Sequence, residues 1–240
     1  VGMGRMCEPE DIFELVSNHF EVSNALTGKT ILVNAGPTHE KIDPVRFIGN
    51  HSTGKMGKAI ANTLADRGAN VELVLGPVDT HGISPKINVT KITSAQEMYE
   101  ACQTIFKNCD AGILAAAVAD FTPTNYSNKK IKKGENDILQ LSMTRTPDVL
   151  ASLGNSKKEH QVLAGFALET HDEINHAQKK LDKKNLDFIV LNSMNDEGAG
   201  FAKDTNKITL IEKNGNKHTF DTKSKKEVSV DIVNLLQKYL

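Results

Sequence analysis

The 240-residue chain balances 29 Lys and Arg against 30 Asp and Glu, a formal net charge of -1, and 39% of its residues are hydrophobic. That composition fits one sizeable folded domain and excludes a general electrostatic pull toward nucleic acid or an anionic membrane surface. Three cysteines, no tryptophan and no apolar run of membrane-spanning length argue against a disulfide scaffold, a single-strand stacking platform and a membrane protein, and favour a cytoplasmic location.

Residues 1–20 predict a short amphipathic helix from near Pro9, with Ile12, Phe13, Leu15 and Val16 apolar. The polar span that follows reads as a linker, which gives a tail of 1–27 and a main domain of 28–240. Ile31–Val33 is a short strand and a helix starts at about Lys55, its apolar face Met56, Ile60, Leu64 and Ala65, with Gly68 closing it. Val71–Leu75 completes a βαβ unit. Ile87–Ile92 is a further strand, and Ser94 with Glu97 forms a capping box for a helix through Phe106. The nearly continuous apolar run Asp110–Val118 reads as a parallel strand covered on both faces.

Residues 127–141 are first basic and then alternating, which suggests a flexible excursion with a short strand near Ile138–Leu141. Thr146-Pro147 opens a helix that Gly154 stops. Val162–Phe166 is a strand, and Thr170 with Glu173 caps a helix through Leu181. Leu186–Leu191 is the last parallel strand. A hairpin then joins Ile208–Ile211 to Thr219–Phe220 across Asn214-Gly215, and a final helix opens with Ser224 and Glu227. Apolar strands separated by amphipathic helices predict a three-layer α/β fold, a doubly wound, mostly parallel, Rossmann-like sheet with a small β excursion.

In such sheets ligands collect beyond the carboxyl ends of the strands, where the polar segments 34–54, 119–123, 166–170 and 192–206 fall. Asn50 to Gly57, NHSTGKMG, offers hydroxyls and a glycine turn before a helix, either an anion cradle or a simple capping turn. It matches neither the Walker spacing nor GxGxxG, so a nicotinamide-dependent oxidoreductase finds no support in it. Asp120 follows an apolar strand, where a carboxylate serves as a Mg²⁺ ligand, a base contact or an Asx turn. The lysines of 129–133 are either a screen for polyphosphate or a solvated loop.

Six strings, AGPTHEKIDPVRFIGNHSTGKMGKAIA, AAAVADFTP with KIKK downstream, LSMTRTPDVLASLG, VLAGFALET, KLDKKNLDFIVLN and GAGFAKDTNKITLI, together resemble the phosphopantothenoylcysteine synthetase domain of bacterial bifunctional coenzyme A biosynthesis proteins. The resemblance spans roughly residues 28–236. It implies a ligase that joins 4′-phosphopantothenate to L-cysteine with CTP through an acyl-cytidylate, with ATP as the open alternative nucleotide. By the same resemblance Asn50 handles the acyl-cytidylate and Arg46 lies near phosphopantothenate. Ser52, Thr53 and Gly54 form the phosphate cradle, and the reactive lysine is Lys130 or Lys132, Lys130 being favoured. Ala117 and Asp120 frame the cytosine and the metal-bound triphosphate, Phe166 closes the nucleotide site, and Lys180 and Lys184 contact the triphosphate tail. Mg²⁺ or Mn²⁺ is implied, with Asp120 as its protein contact, and so is a homodimer. The string GMGRMCEPEDI resembles the end of a fused decarboxylase domain. No flavin is expected in this fragment.

Overall fold

The computed structural model describes residues 8, 9, 12, 13, 24–132, 138–169, 172–193 and 203–240. Its centre is an eight-stranded sheet. The parallel strands are β1 (Thr30–Ala35), β4 (Asn70–Leu75), β5 (Asn88–Lys91), β6 (Ala111–Leu114), β9 (Val162–Glu169) and β10 (Phe188–Ser193). The antiparallel β12 (Ile208–Glu212) and β13 (Lys217–Thr219) extend one side, giving the order β13-β12-β10-β9-β6-β1-β4-β5.

Alternation along the strands sorts the core into two layers. Ile31, Val33 and Ala35 of β1 join a buried cluster with Ile60 and Leu64 of α1 (Lys55–Asp66) and with Val228, Ile232 and Leu236 of α5 (Lys225–Gln237). Leu32 faces the other way, into a cluster with Met98 and Phe106 of α2 (Ala95–Phe106), Leu150 and Leu153 of α3 (Val149–Ser156), and Leu181 of α4 (Glu173–Lys183). Between α1 and α5, the buried Thr63 and Ser229 hydroxyls bond each other at 2.6 Å, so neither is left unsatisfied inside the apolar layer. This is the expected three-layer, doubly wound sheet. The core reaches back to Leu26, which is 1% exposed.

Both capping boxes at Ser94/Glu97 and Ser224/Glu227 form. Other local expectations change. The run after β6 does not continue as strand beyond Leu114, because the buried Asn34 takes the Ala116 N–H on its Oδ1 at 2.9 Å and Gly36 O takes the Ala117 N–H. Residues 115–119 therefore leave the regular ladder as a loop that keeps a single parallel bridge, Ala117 to Pro37. Helix α3 is capped by Asp148, whose Oδ1 accepts from Ala151 N–H, while the Thr146 hydroxyl donates to Ala119 O. Gly154 does not stop that helix; it lies within it because a Cβ there would collide with the Lys184 carbonyl oxygen. The cap of α4 is Asp172 in the left-handed region, with φ 44°, and Thr170 lies outside the described residues.

Two small ribbons carry the excursions. In the first, β2 (His39–Lys41) pairs with β3 (Phe47–Gly49), a hairpin absent from the sequence reading, and its His39 and Phe47 rings stack at 3.7 Å. It is tied to α2 by the buried Glu40, whose Oε1 accepts from Ala95 N–H at 2.8 Å. In the second, β7 (Phe121–Pro123) pairs with β8 (Met143–Arg145). The strand of the excursion thus lies at 143–145, while Ile138 and Leu139 are exposed and outside any strand. A third pair, β11 (Thr205–Asn206) with β14 (Lys223–Ser224), leads into α5.

Candidate active site

The chain leaves β1 to build β4 on one side and later β6 on the other, so the strand order reverses between β1 and β6. A crevice at the carboxyl ends of these strands follows from that reversal. It holds two adjoining cavities of 440 and 510 Å³ that share Ala116, Val118, Asp120, Phe166 and Lys180.

The first cavity is bounded on one side by the start of α1. Gly54 caps this helix at φ 69° with its own N–H bonded to Ser52 Oγ at 3.2 Å and, being a glycine, supplies no side-chain cap to the first turn. The helix can begin so close to β1 because Gly57 has no Cβ; one there would strike Ala35. A helix N-terminus opening into a cavity favours an anion. Asn50 is fixed by its Nδ2, which donates to the O of Val118, another lining residue, at 2.8 Å.

Of the residues singled out from sequence, Asn50, Ser52, Thr53, Gly54, Ala117, Asp120, Phe166 and Lys180 line the first cavity, and Lys184 lines the second. Lys180 Nζ donates to Phe166 O at 2.8 Å, and Lys184 Nζ lies 2.8 Å from Asp148 Oδ2. Arg46, Lys130 and Lys132 line neither cavity. Arg46 is instead paired with the buried Asp43. That pairing, with three backbone N–H donors on the same carboxylate, holds the Asp43 carboxyl well below the usual range.

Among the lining residues that escaped the sequence reading are Arg145, Asn192, Asn206 and Lys225. Asn206 is buried and donates to Asn192 Oδ1 at 3.2 Å. Both fall in the strand-end segment 192–206, so the region was readable although the residues were not. Lys225 is only 9% exposed and donates to Lys203 O at 2.6 Å. Burial and the neighbouring Lys55 push its pKa down, against the pull of Asp204. Within the run Lys223-Ser224-Lys225-Lys226, nothing in the sequence separates it from a solvated lysine.

The cavities contain few carboxylates. Asp120 is the shared one, Asp148 is paired to Lys184, and no group of three or more His, Cys, Asp or Glu suited to a metal occurs among the described residues. That donor set fits a hard divalent cation held mostly by phosphate and water, with one protein carboxylate, and not a protein cage. Among the described residues no helix is long and apolar enough to cross a membrane.

Comparison with known proteins agrees with this geometry. The family model for the DNA/pantothenate metabolism flavoprotein C-terminal domain matches residues 26–240. The chain is 51% identical over 97% of its length to a prokaryotic protein named cysteine/cysteine sulfinic acid decarboxylase, covering 66% of that protein. It is 45% identical over 97% of its length to the coenzyme A biosynthesis bifunctional protein CoaBC of Bacillus subtilis (strain 168), covering 57% of it. The chain thus spans well over half, but not all, of these curated relatives. Among solved structures, the C-terminal domain of a CoaBC superposes with a TM-score of 0.77 at 38% identity, over 90% of this chain and 97% of that one. Sequence, sheet order and crevice therefore lead to one assignment: the chain belongs to the DNA/pantothenate metabolism flavoprotein C-terminal domain family, and it corresponds to the C-terminal domain of CoaBC proteins.

Proposed function

We propose that this chain is the CTP-dependent ligase that joins 4′-phosphopantothenate to L-cysteine. The observation that supports this most is the gathering of Asn50, the Ser52–Gly54 turn, Asp120, Phe166 and Lys180 around one cavity at the strand-order reversal, in a chain of this family. A free carboxylate does not acylate an amine at useful rates. The substrate carboxylate oxygen therefore attacks the α-phosphorus of CTP, forming an acyl-cytidylate and releasing pyrophosphate. The cysteine nitrogen then attacks the acyl carbon, the acyl–oxygen bond breaks, and CMP leaves.

In both steps negative charge moves onto the oxygens of a departing phosphate, and in the second the attacking nitrogen also gives up a proton to solvent, so the protein's work is positioning and electrostatic stabilisation. The first turn of α1 and the Ser52–Gly54 turn receive phosphate oxygens. Asn50, anchored through Nδ2 on Val118 O, orients the activated acyl group for the incoming amine. Phe166 covers the nucleotide, and Lys180 and Lys184 balance the triphosphate tail. Lys130 supplies positive charge to the reacting phosphate. Asp120 would hold Mg²⁺, which would supply further charge neutralisation when bound. The partners in this reading are the three substrates and a second copy of the chain. The decarboxylase name of one relative belongs to a protein of which 66% is matched by this chain.

The deciding experiment incubates the purified chain with phosphopantothenate, Mg²⁺ and either CTP or ATP, omitting cysteine. Pyrophosphate and an acyl-cytidylate mass with CTP are expected. Their absence with both nucleotides removes the ligase reading, and a preference for ATP changes the nucleotide. Asn50→Ala is expected to accumulate the intermediate and to lose about 100-fold in its cysteine-dependent consumption.

A further inference from the structure

Among the described residues of the lysine-bearing segment after β7, 124–132, none lies in a helix or strand, yet one of them is gripped on both of its backbone polar groups. Ile131 N–H donates to Asp43 Oδ2 at 3.1 Å, and Ile131 O accepts from Arg46 Nη2 at 2.8 Å. A single ion pair therefore takes both hydrogen-bonding groups of the residue that separates Lys130 from Lys132.

The pair itself is built to stay put. Asp43 has a fully buried side chain. Its Oδ1 accepts from Val45 and Arg46 N–H at 2.8 Å each, which forms the turn between β2 and β3. Its Oδ2 accepts from Arg46 Nε at 3.1 Å and from Arg46 Nη2 at 2.5 Å. A second tie lies four residues upstream of Ile131, where Ser127 N–H donates to Ile42 O at 3.1 Å. The hairpin, in turn, is locked to the body of the domain through Glu40 and the first turn of α2. Position passes from α2 through β2 and Asp43 to the lysine loop.

We propose that Asp43 and Arg46 are a positioning pair that fixes the backbone between Lys130 and Lys132 and so sets where those ammonium groups stand relative to the reacting phosphate. This rests on the ligase reading above and deepens it. It gives Asp43, which no motif singled out, a role in the rate of acyl-nucleotide formation. It also gives Arg46 a task that needs no contact with substrate. A positioning role has a particular signature: loss of the pair matters only while the lysine it positions is present.

Asp43→Asn keeps an oxygen for the two turn amides and removes the charge that holds Arg46. In the wild-type background it is expected to slow acyl-cytidylate formation by about tenfold or more, since displacements near 1 Å carry costs of that order, while the KM for CTP moves less than about threefold. In a Lys130→Ala background the same change is expected to add less than about twofold. An equal factor in both backgrounds, or none in the wild type, overturns the proposal. Should Asp43→Asn fail to fold, Arg46→Lys, at a side chain 40% exposed, replaces it in the same cycle with the same expected non-additivity. If the wild-type chain makes no acyl-nucleotide, the ligase reading fails by itself and the pair is judged by amide exchange. Faster exchange at 129–132 than in the wild type, with β1 unchanged, upholds the clamp, and equal exchange rejects it.

Discussion

Lys180 and Lys184 differ from Lys130 and Lys132 in what holds them. Lys180 sits within α4 and Lys184 caps its end, one helical turn apart, so the helix itself puts them on one face. Each ammonium is then fixed by a short bond, to Phe166 O and to Asp148 respectively. Lys130 and Lys132 are exposed on an irregular segment, and their placement depends on a distant ion pair that bonds the backbone between them. The helix-borne pair is preorganised by local structure and suits constant contact with a bound triphosphate. The loop-borne pair is set by tertiary contacts and suits charge that develops during reaction. Binding and rate should therefore separate between the two pairs.

The largest effect should come from the loop. Lys130→Ala is expected to lower the rate of acyl-cytidylate formation by about 100-fold or more, with Lys132→Ala costing less than about fivefold, as read by pyrophosphate release in single turnover. The reverse ranking would move the reactive role to Lys132. Next comes the support of the helix-borne pair. Gly154→Ala pushes a methyl group against the carbonyl of Lys184 and is expected to cost about 2–4 kcal/mol in chemical denaturation. A neutral outcome would mean that α3 and the end of α4 separate easily. Lys184→Met should raise the KM for CTP by about tenfold while kcat stays within about twofold, the pattern of lost uniform binding. A fall in kcat alone would erase the distinction between the pairs.

The smallest effect is one of pH. The Asp43 carboxyl is held below its ordinary value of 3.8 by Arg46 and by the amides it accepts. Its contribution to stability is therefore complete above that value and is lost as pH falls below it, when the folded carboxylate finally protonates. The difference in melting temperature between wild type and Asp43→Asn should be constant near neutrality and shrink only under strongly acid conditions. A difference that already shrinks between pH 7 and 5 would contradict this assignment.

How much of this was readable in the residues depends on the range of the interactions involved. Strands β1, β9 and β10 are short apolar runs closed by polar residues, and the two capping boxes are local bonds, so sequence neighbours specify them. Alanines 115–117 read as strand because their departure from the sheet is caused by Asn34, 82 residues away from Ala116. The β2–β3 hairpin was hidden for a similar reason: it is only three residues a side, and its turn is made by a side chain, Asp43. Among the site residues, Asn50, Asp120 and Phe166 stood out because they sit at strand ends or in a recognisable string. Lys225 did not, since its burial at the mouth of the first cavity comes from α5 packing against α1.

The sheet also has two unequal borders. On one side β13 is the second arm of a tight hairpin, turned back on β12 through Gly215 at φ 91°. On the other, β5 ends the parallel array with four residues, all exposed, of which Val89 alone is a branched hydrocarbon. Asn88 spends its amide on Glu72 at 2.9 Å, and Lys91 closes the strand with a charge that an incoming strand would have to desolvate. An open row of N–H and C=O groups invites another chain to add itself and polymerise. Brevity, polarity and a terminal lysine make this border a poor template, which lets a parallel sheet remain open at one side without becoming a seed for aggregation.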